Sequence, residues 1–163
     1  MAKNEKYEKL LGIPFRMGGR MDKCSCGQLY SKVKKTDCPL CRGFVSRKNY
    51  LDCYGLAIEV YKINNKILPE KTSLTDDEMI CAAITDGTRD YVEITRPEPL
   101  CIVSLKVQAP FVTHIGVVLE DTEWFIHILE QYSVSIERLR RRQLLIDGYW
   151  RYVGDNNSNS ISK

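Results

Sequence analysis

The segment "VTHIGVVLEDTEWFIHILE", residues 112–130, constrains the fold more than any other part of the chain. Two runs rich in β-branched and aromatic residues flank the polar turn "EDTE", which predicts an antiparallel hairpin. A turn centred between Glu120 and Asp121 pairs Leu119 with Thr122 and, in the same register, His114 with His127. Directly opposed residues share one sheet face, with Cβ atoms about 4.5–5.5 Å apart. The chain has only these two histidines. Facing imidazoles suit a general base and its orienting partner, because one takes a proton while the other fixes its tautomer and stabilises the imidazolium. Two structural histidines on a strand pair explain the pattern equally well, so the choice turns on whether a nucleophile exists elsewhere.

The segment "YLDCYGLAIEVYK", residues 50–62, holds a candidate. From Gly55 onward, Leu56, Val60 and Ile63 fall on one helical face, with Glu59 and Lys62 turned away. Asp52 is placed to cap this helix, which puts Cys53 in the first turn, where the partial positive charge of the helix end stabilises a thiolate. Three roles compete for Cys53: core thiol, zinc ligand or nucleophile.

The chain has seven cysteines, and the odd number disfavours complete disulfide pairing. Cys24, Cys26, Cys38 and Cys41 lie in "CSCGQLYSKVKKTDCPLC", a C-x-C pair and a C-x-x-C pair separated by eleven residues. That spacing predicts one tetrahedral Zn2+ held by four thiolates, a closed and therefore structural site. Lys32, Lys34, Lys35, Arg42, Arg47 and Lys48 decorate this zinc ribbon, but Tyr30 alone offers a stacking platform for a base. A solvated staple is favoured over a nucleic-acid binder. Cys81, in the helix-like "TDDEMICAAITDG" (75–87), and Cys101, in the strand-like "CIVSLKV" (101–107), read as core thiols.

At 163 residues, with 44% hydrophobic and 28% charged residues, the chain is long enough for one globular core. A net charge of +3 gives no case for nucleic acid. No apolar run reaches transmembrane length, and "MAKNEKYEKLLGIPF" has no apolar signal core, so synthesis in a cytosol without a signal peptide is expected. The pattern further predicts a helical stretch near 3–11, the Cys53 helix over 53–64 and a short helix over 76–84. Strands are expected near 91–95, 100–107, 113–119, 124–129, 133–138 and 146–153. The run "RLRRRQ" at 138–143 reads first as a solvated turn and second as a contact with anionic cell wall. The polar end "GDNNSNSISK", 154–163, reads as a disordered tail.

Four stretches occur in a telling order: "GIPFRMGG" (12–19), "DCYGL" (52–56), "HIGVVL" (114–119) and "FIHI" (125–128). Together they resemble the NlpC-type cell-wall cysteine peptidases, whose pattern runs from G-x-P-aromatic and G-G through D-C-x-G-L and H-x-G to F-[IV]-H. "VSIERL" and "IDGYWRY" are similar to the phage-tail subgroup, and the likeness covers roughly residues 8–153 outside the zinc segment. The resemblance implies an α+β, compact papain-like NlpC fold, with a nucleophile helix packed on an antiparallel sheet. The peptidase domain would comprise 1–21 and 47–153, interrupted by the zinc ribbon at 22–46. Cys53 would be the nucleophile, His114 the base and His127 the orienting third member. The backbone N–H of Cys53 would give part of the oxyanion hole. The implied substrate is an amide of the peptidoglycan stem peptide. The implied partners are phage tail and tail-tip proteins, and the implied location is the virion tail acting at the bacterial wall. Three departures stand out: Phe15 replaces a tyrosine whose hydroxyl can help hold the oxyanion, with Tyr54 or Tyr50 as possible substitutes. Cys101 stands where an aspartate is common, and the gap between "GG" and "DC" is stretched to admit the zinc segment. A structural tail-assembly protein with a weakened site is the alternative.

Overall fold

The computed structural model describes residues 2–17, 19, 21, 50–69, 81, 82, 84 and 90–154. The expected zinc segment, with Cys24, Cys26, Cys38 and Cys41, lies outside the described residues, as does the polar tail after Gly154. The described elements are of α+β type and fall into two compact units. One comprises Met1–Glu70 with His127–Ile136, the other Lys71–Ile126 with Glu137–Lys163.

In the first unit, the helical stretch near the N-terminus is a 3₁₀ helix, Ala2–Tyr7, continued by further tight turns. Leu10 N donates to Tyr7 O at 2.9 Å and Ile13 N to Leu10 O at 3.2 Å, each bond spanning three residues. The cause is visible in burial: Tyr7, Leu10 and Ile13 are buried while Leu11 is exposed. An apolar repeat of three matches a helix with three residues per turn. The α-helix α1, Cys53–Ile63, buries eight of its residues, more than one face, and leaves Lys62 exposed in an ion pair with Glu59 at 2.7 Å. At its end Lys66 N donates to Tyr61 O and Asn65 N to Lys62 O, with Asn65 at φ 55°. This is a Schellman close with asparagine in the left-handed position usually given to glycine. Asn64 then ties α1 to the N-terminal turns, accepting from Lys6 Nζ at 2.7 Å and donating to Tyr7 Oη at 3.0 Å.

The second unit holds most of an antiparallel sheet, of which His127, Ser135 and Ile136 fall in the first unit. Its strands are β1 (Tyr91–Ile94), β2 (Ile102–Leu105), β3 (His114–Val118), β4 (Trp124–His127), β5 (Ser135–Arg138) and β6 (Ile146–Tyr152). They run in the order β1-β6-β2-β3-β4-β5, close to the expected positions. Strands β2 and β3 are buried at every residue, as central strands covered on both faces should be, whereas β1, β5 and β6 are partly solvated. One face carries the core cluster of Cys101, Val103, Leu105, Val118, Phe125 and Leu139. On β2, Ser104 is buried beside β6, where it accepts from Trp150 Nε1 at 3.0 Å and donates to Gly148 O at 3.3 Å. The pairing of β2 with β6 shifts at this point, between Ser104 and Leu105. Cys81, Ala82 and Ile84 are helical, with Cys81 and Ile84 buried, as expected for the short helix before the sheet.

The hairpin turn is wider than its sequence suggested. Leu119 O accepts from Thr122 N at 3.0 Å, but Leu119 N donates to Trp124 O at 2.8 Å, so the loop between the bonded strands runs on to Trp124. Asp121 is the reason: its carboxylate accepts from Glu123 N at 3.1 Å and Trp124 N at 3.3 Å, drawing two further residues into the loop. Thr122 takes up the bend at φ 59°. The expected pairing of His114 with His127 was counted from the tighter turn. The arginine run is indeed a turn region, with 3₁₀ helices Leu139–Arg141 and Gln143–Leu145. Arg142 grips Glu137 through two bonds of 2.9 Å, Arg138 lies 4.8 Å over the Trp124 ring, and Arg140 and Arg141 are exposed.

The Ser104 contact gives a direct test. Ser104→Ala removes the acceptor from a buried indole N–H and should cost about 1–3 kcal/mol, read as a lower urea midpoint with an unchanged slope.

Candidate active site

The start of α1 is fixed by a short ladder of backbone hydrogen bonds. Residues 12–16 are bonded on both sides. On one side, Gly12 N donates to Val134 O at 3.0 Å, Val134 N to Ile13 O at 2.8 Å and Phe15 N to Tyr132 O at 3.0 Å. On the other, Leu51 N donates to Pro14 O at 3.3 Å and Arg16 N to Leu51 O at 3.0 Å, a parallel bridge between Phe15 and Leu51. Two glycines of the "GIPFRMGG" stretch make this possible. Gly12 adopts φ 78°, a left-handed conformation that side chains resist. Gly19 packs so closely that a Cβ there would lie 2.8 Å from Leu51 Cα, Leu51 N and Arg16 O. Asp52 N then donates to Gly19 O at 3.4 Å.

Asp52 follows directly and caps α1 as expected. Its carboxylate accepts from Gly55 N at 2.6 Å, and its carbonyl accepts the first helical bond from Leu56 N at 2.9 Å. Cys53 is the first residue of α1 and is 1% exposed. Its N–H belongs to the first turn, where no carbonyl of the same helix is in reach, and the helix end favours negative charge on its sulfur. The Cys53 thiol is thus buried at the positive end of a capped helix.

His127 ends β4, is 1% exposed and belongs to the same unit as Cys53. Its Nε2 lies 3.4 Å from Ser135 Oγ on β5. His114 begins β3 in the other unit, pairs with Leu105 and is 3% exposed. Burying an imidazole costs free energy unless its nitrogens are bonded. Among the described residues every deeply buried side-chain nitrogen and oxygen has a hydrogen-bond partner.

The remaining candidates separate cleanly. The Tyr54 hydroxyl donates to Pro69 O at 2.8 Å, which commits its proton and removes it as a stand-in for the tyrosine absent at Phe15. Tyr50 is partly exposed, with Arg16 5.7 Å over its ring. Cys101 is a packing residue as expected: burial pushes its thiol up to about 11, outweighing the bond it accepts from Glu98 N at 3.4 Å. Cys53, Cys81 and Cys101 are not in disulfides. Among the described residues no cluster of His, Cys, Asp or Glu is placed to hold a metal ion, and no helix is long and apolar enough to cross a membrane. Sequence reasoning missed Ser135, since a serine in an ordinary strand carries no signal of which ring it meets.

No protein-family model matches the chain, and no curated protein does. Among solved structures the chain is similar to a protein from Staphylococcus aureus subsp. aureus Mu50, described as similar to lipoprotein and of the NLP/P60 family. Identity is 18%, the TM-score is 0.48, and the likeness covers 91% of this chain and 39% of that one. The chain therefore spans well under half the length of that protein.

Two measurements probe this region. Asp52→Ala should cost about 0.5–2 kcal/mol as the cap is lost, and Gly19→Ala about 1–3 kcal/mol, because backbone atoms cannot step aside for the new Cβ. Both are read by urea denaturation. Cys101 contributes to alkaline sensitivity: its folded value of about 11 lies above the roughly 8.5 of an unfolded thiol. Stability present below pH ~8.5 should therefore fall as the pH rises toward 11, and Cys101→Ala should flatten that fall.

Proposed function

We propose that the chain is a phage-tail-associated peptidoglycan endopeptidase that cleaves an amide of the stem peptide through a thioester on Cys53. The observation that carries this reading is Cys53 at the first position of an α-helix capped by Asp52. The resemblance of four sequence motifs to NlpC-type peptidases supports it. In the proposed reaction His114 takes the Cys53 proton and the sulfur attacks the amide carbon. The oxyanion is met by the Cys53 N–H, and the amine leaves with the proton returned by the imidazolium. Water, deprotonated by the same imidazole, then splits the thioester and frees the acid. His127 orients the base and stabilises its charged form.

Four thiolates, Cys24, Cys26, Cys38 and Cys41, form a donor set suited to one structural Zn2+, which would staple the segment between the two parts of the peptidase sequence without entering the chemistry. The proposed setting is a virion tail that delivers a protein made in the host cytoplasm to the cell wall. Tail and tail-tip proteins are the proposed partners, and nucleic acid is not among them.

One observation favours a second reading, a structural tail-assembly protein with a weakened site. Phe15 has no hydroxyl, and the Tyr54 hydroxyl is spent on Pro69. An oxyanion donor of this kind is worth roughly 2.7–4 kcal/mol of transition-state stabilisation.

Muropeptide digestion followed by mass spectrometry separates the two. The wild type should release stem-peptide fragments, and Cys53→Ala and His114→Ala should release none. Silence from all three proteins, with normal incorporation into tails, would leave the structural role. Elemental analysis should find about one Zn per chain, lost when Cys38 and Cys41 become serine, and a folded metal-free protein would remove the zinc.

A further inference from the structure

We propose that Tyr132 is a specificity residue that contacts an uncharged part of a stem peptide, two or three residues from the bond that Cys53 attacks. Its substrate rests on the peptidase reading, but its place beside the thiol does not. Pro14 and Ser133 form an antiparallel bridge and Phe15 N donates to Tyr132 O, so Phe15 and Tyr132 stand opposite each other and share a face. Phe15 and Leu51 form a parallel bridge and share that face too. Asp52 is extended, at φ −94° and ψ 179°, so the alternation of side chains carries across it and sets Cys53 on the side of Leu51. Leu51, Phe15 and Tyr132 therefore make one row beside the thiol, all within the first unit. Exposure rises along the row: Leu51 is buried, Phe15 partly buried and Tyr132 69% exposed.

Two strand spacings put Tyr132 about 10 Å from Leu51, roughly three residues of an extended peptide. A peptide that offers its amide to the sulfur and runs across Phe15 thus comes to the Tyr132 ring. Gln131, just before it, is held at φ 66°, a left-handed conformation that a residue with a side chain adopts at a cost. Tyr132 N closes this turn on Leu129 O at 3.0 Å, and its carbonyl is taken by Phe15. Both polar backbone groups of Tyr132 are bonded, and only its side chain is left to solvent. The ring offers an apolar platform, and no described residue engages its hydroxyl, which is a donor for a peptide carbonyl. The row carries no charge, which suits an uncharged side chain.

The test uses the full chain and one synthetic stem tetrapeptide. Its titration into Cys53→Ala, which cannot turn it over, is followed by ¹H–¹⁵N NMR, and its cleavage is followed with the cysteine restored. The amides of Phe15 and Tyr132 should shift on binding. Tyr132→Ala should weaken binding by about tenfold or more, and Tyr132→Phe by less. With Cys53 present, Tyr132→Ala should lower kcat/KM by a similar factor while alkylation of Cys53 by iodoacetamide keeps its rate. Ser133→Ala, on the opposite face, should change none of these values. Unchanged amide signals of Gly12 and Val134 would show that the variants are folded. Binding and cleavage untouched by Tyr132→Ala would overturn the role of Tyr132 and leave the peptidase standing. Binding on this row without cleavage by the wild type counts against the peptidase alone. A peptide that is neither bound nor cleaved overturns both.

Discussion

The backbone bonds on both sides of residues 12–16 are the constraint on which the rest of the first unit depends. They join three stretches far apart in sequence: the N-terminal turns, the residue just before α1, and the chain that follows His127. Such non-local pairing has to overcome loop-closure entropy, and it does so with few hydrogen bonds. The supporting terms are local. Gly12 turns the chain left-handed, Tyr7, Leu10 and Ile13 bury a three-residue stripe beneath it, and Gly19 lets two backbones touch. Once this is in place, Asp52 has no freedom to be anywhere but at the end of α1.

Much of this was legible in the sequence because it follows from short-range rules. Strand alternation located all six strands within a few residues, and an acid ahead of an apolar helical face located the cap. Cys81 and Cys101 announced burial through their neighbours. The errors arose where a side chain competes with the backbone or where the partner is distant. Asp121 captures two amides and widens a turn whose length alone looked sufficient. Whether the turns before Ile13 close as 3₁₀ or α depends on which apolar residues are covered, and that depends on tertiary context. Tyr54 seemed available until its hydroxyl was seen to meet Pro69 O, fifteen residues on. In the candidate site, Cys53 and its cap were readable, whereas Ser135 was not, because its meaning lies wholly in the ring across from it.

The thiols illustrate how differently one chain places its buried sulfurs. Cys53 and Cys101 are equally hidden from solvent, at 1% and 2% exposure. Cys101 lies at the margin of a hydrocarbon cluster, where desolvation keeps it protonated. Cys53 lies at the end of eleven aligned peptide dipoles, beside a cap that satisfies the amide two residues on.

The near-contact of Gly19 with Leu51 also brings two points far apart in sequence to one place. Thirty-two residues separate Gly19 from Asp52, yet the carbonyl of the one meets the amide of the other. An excursion with coincident ends exerts little leverage on its host, whatever it contains. The register of the host at this point is set by Gly19, Leu51 and Asp52 themselves.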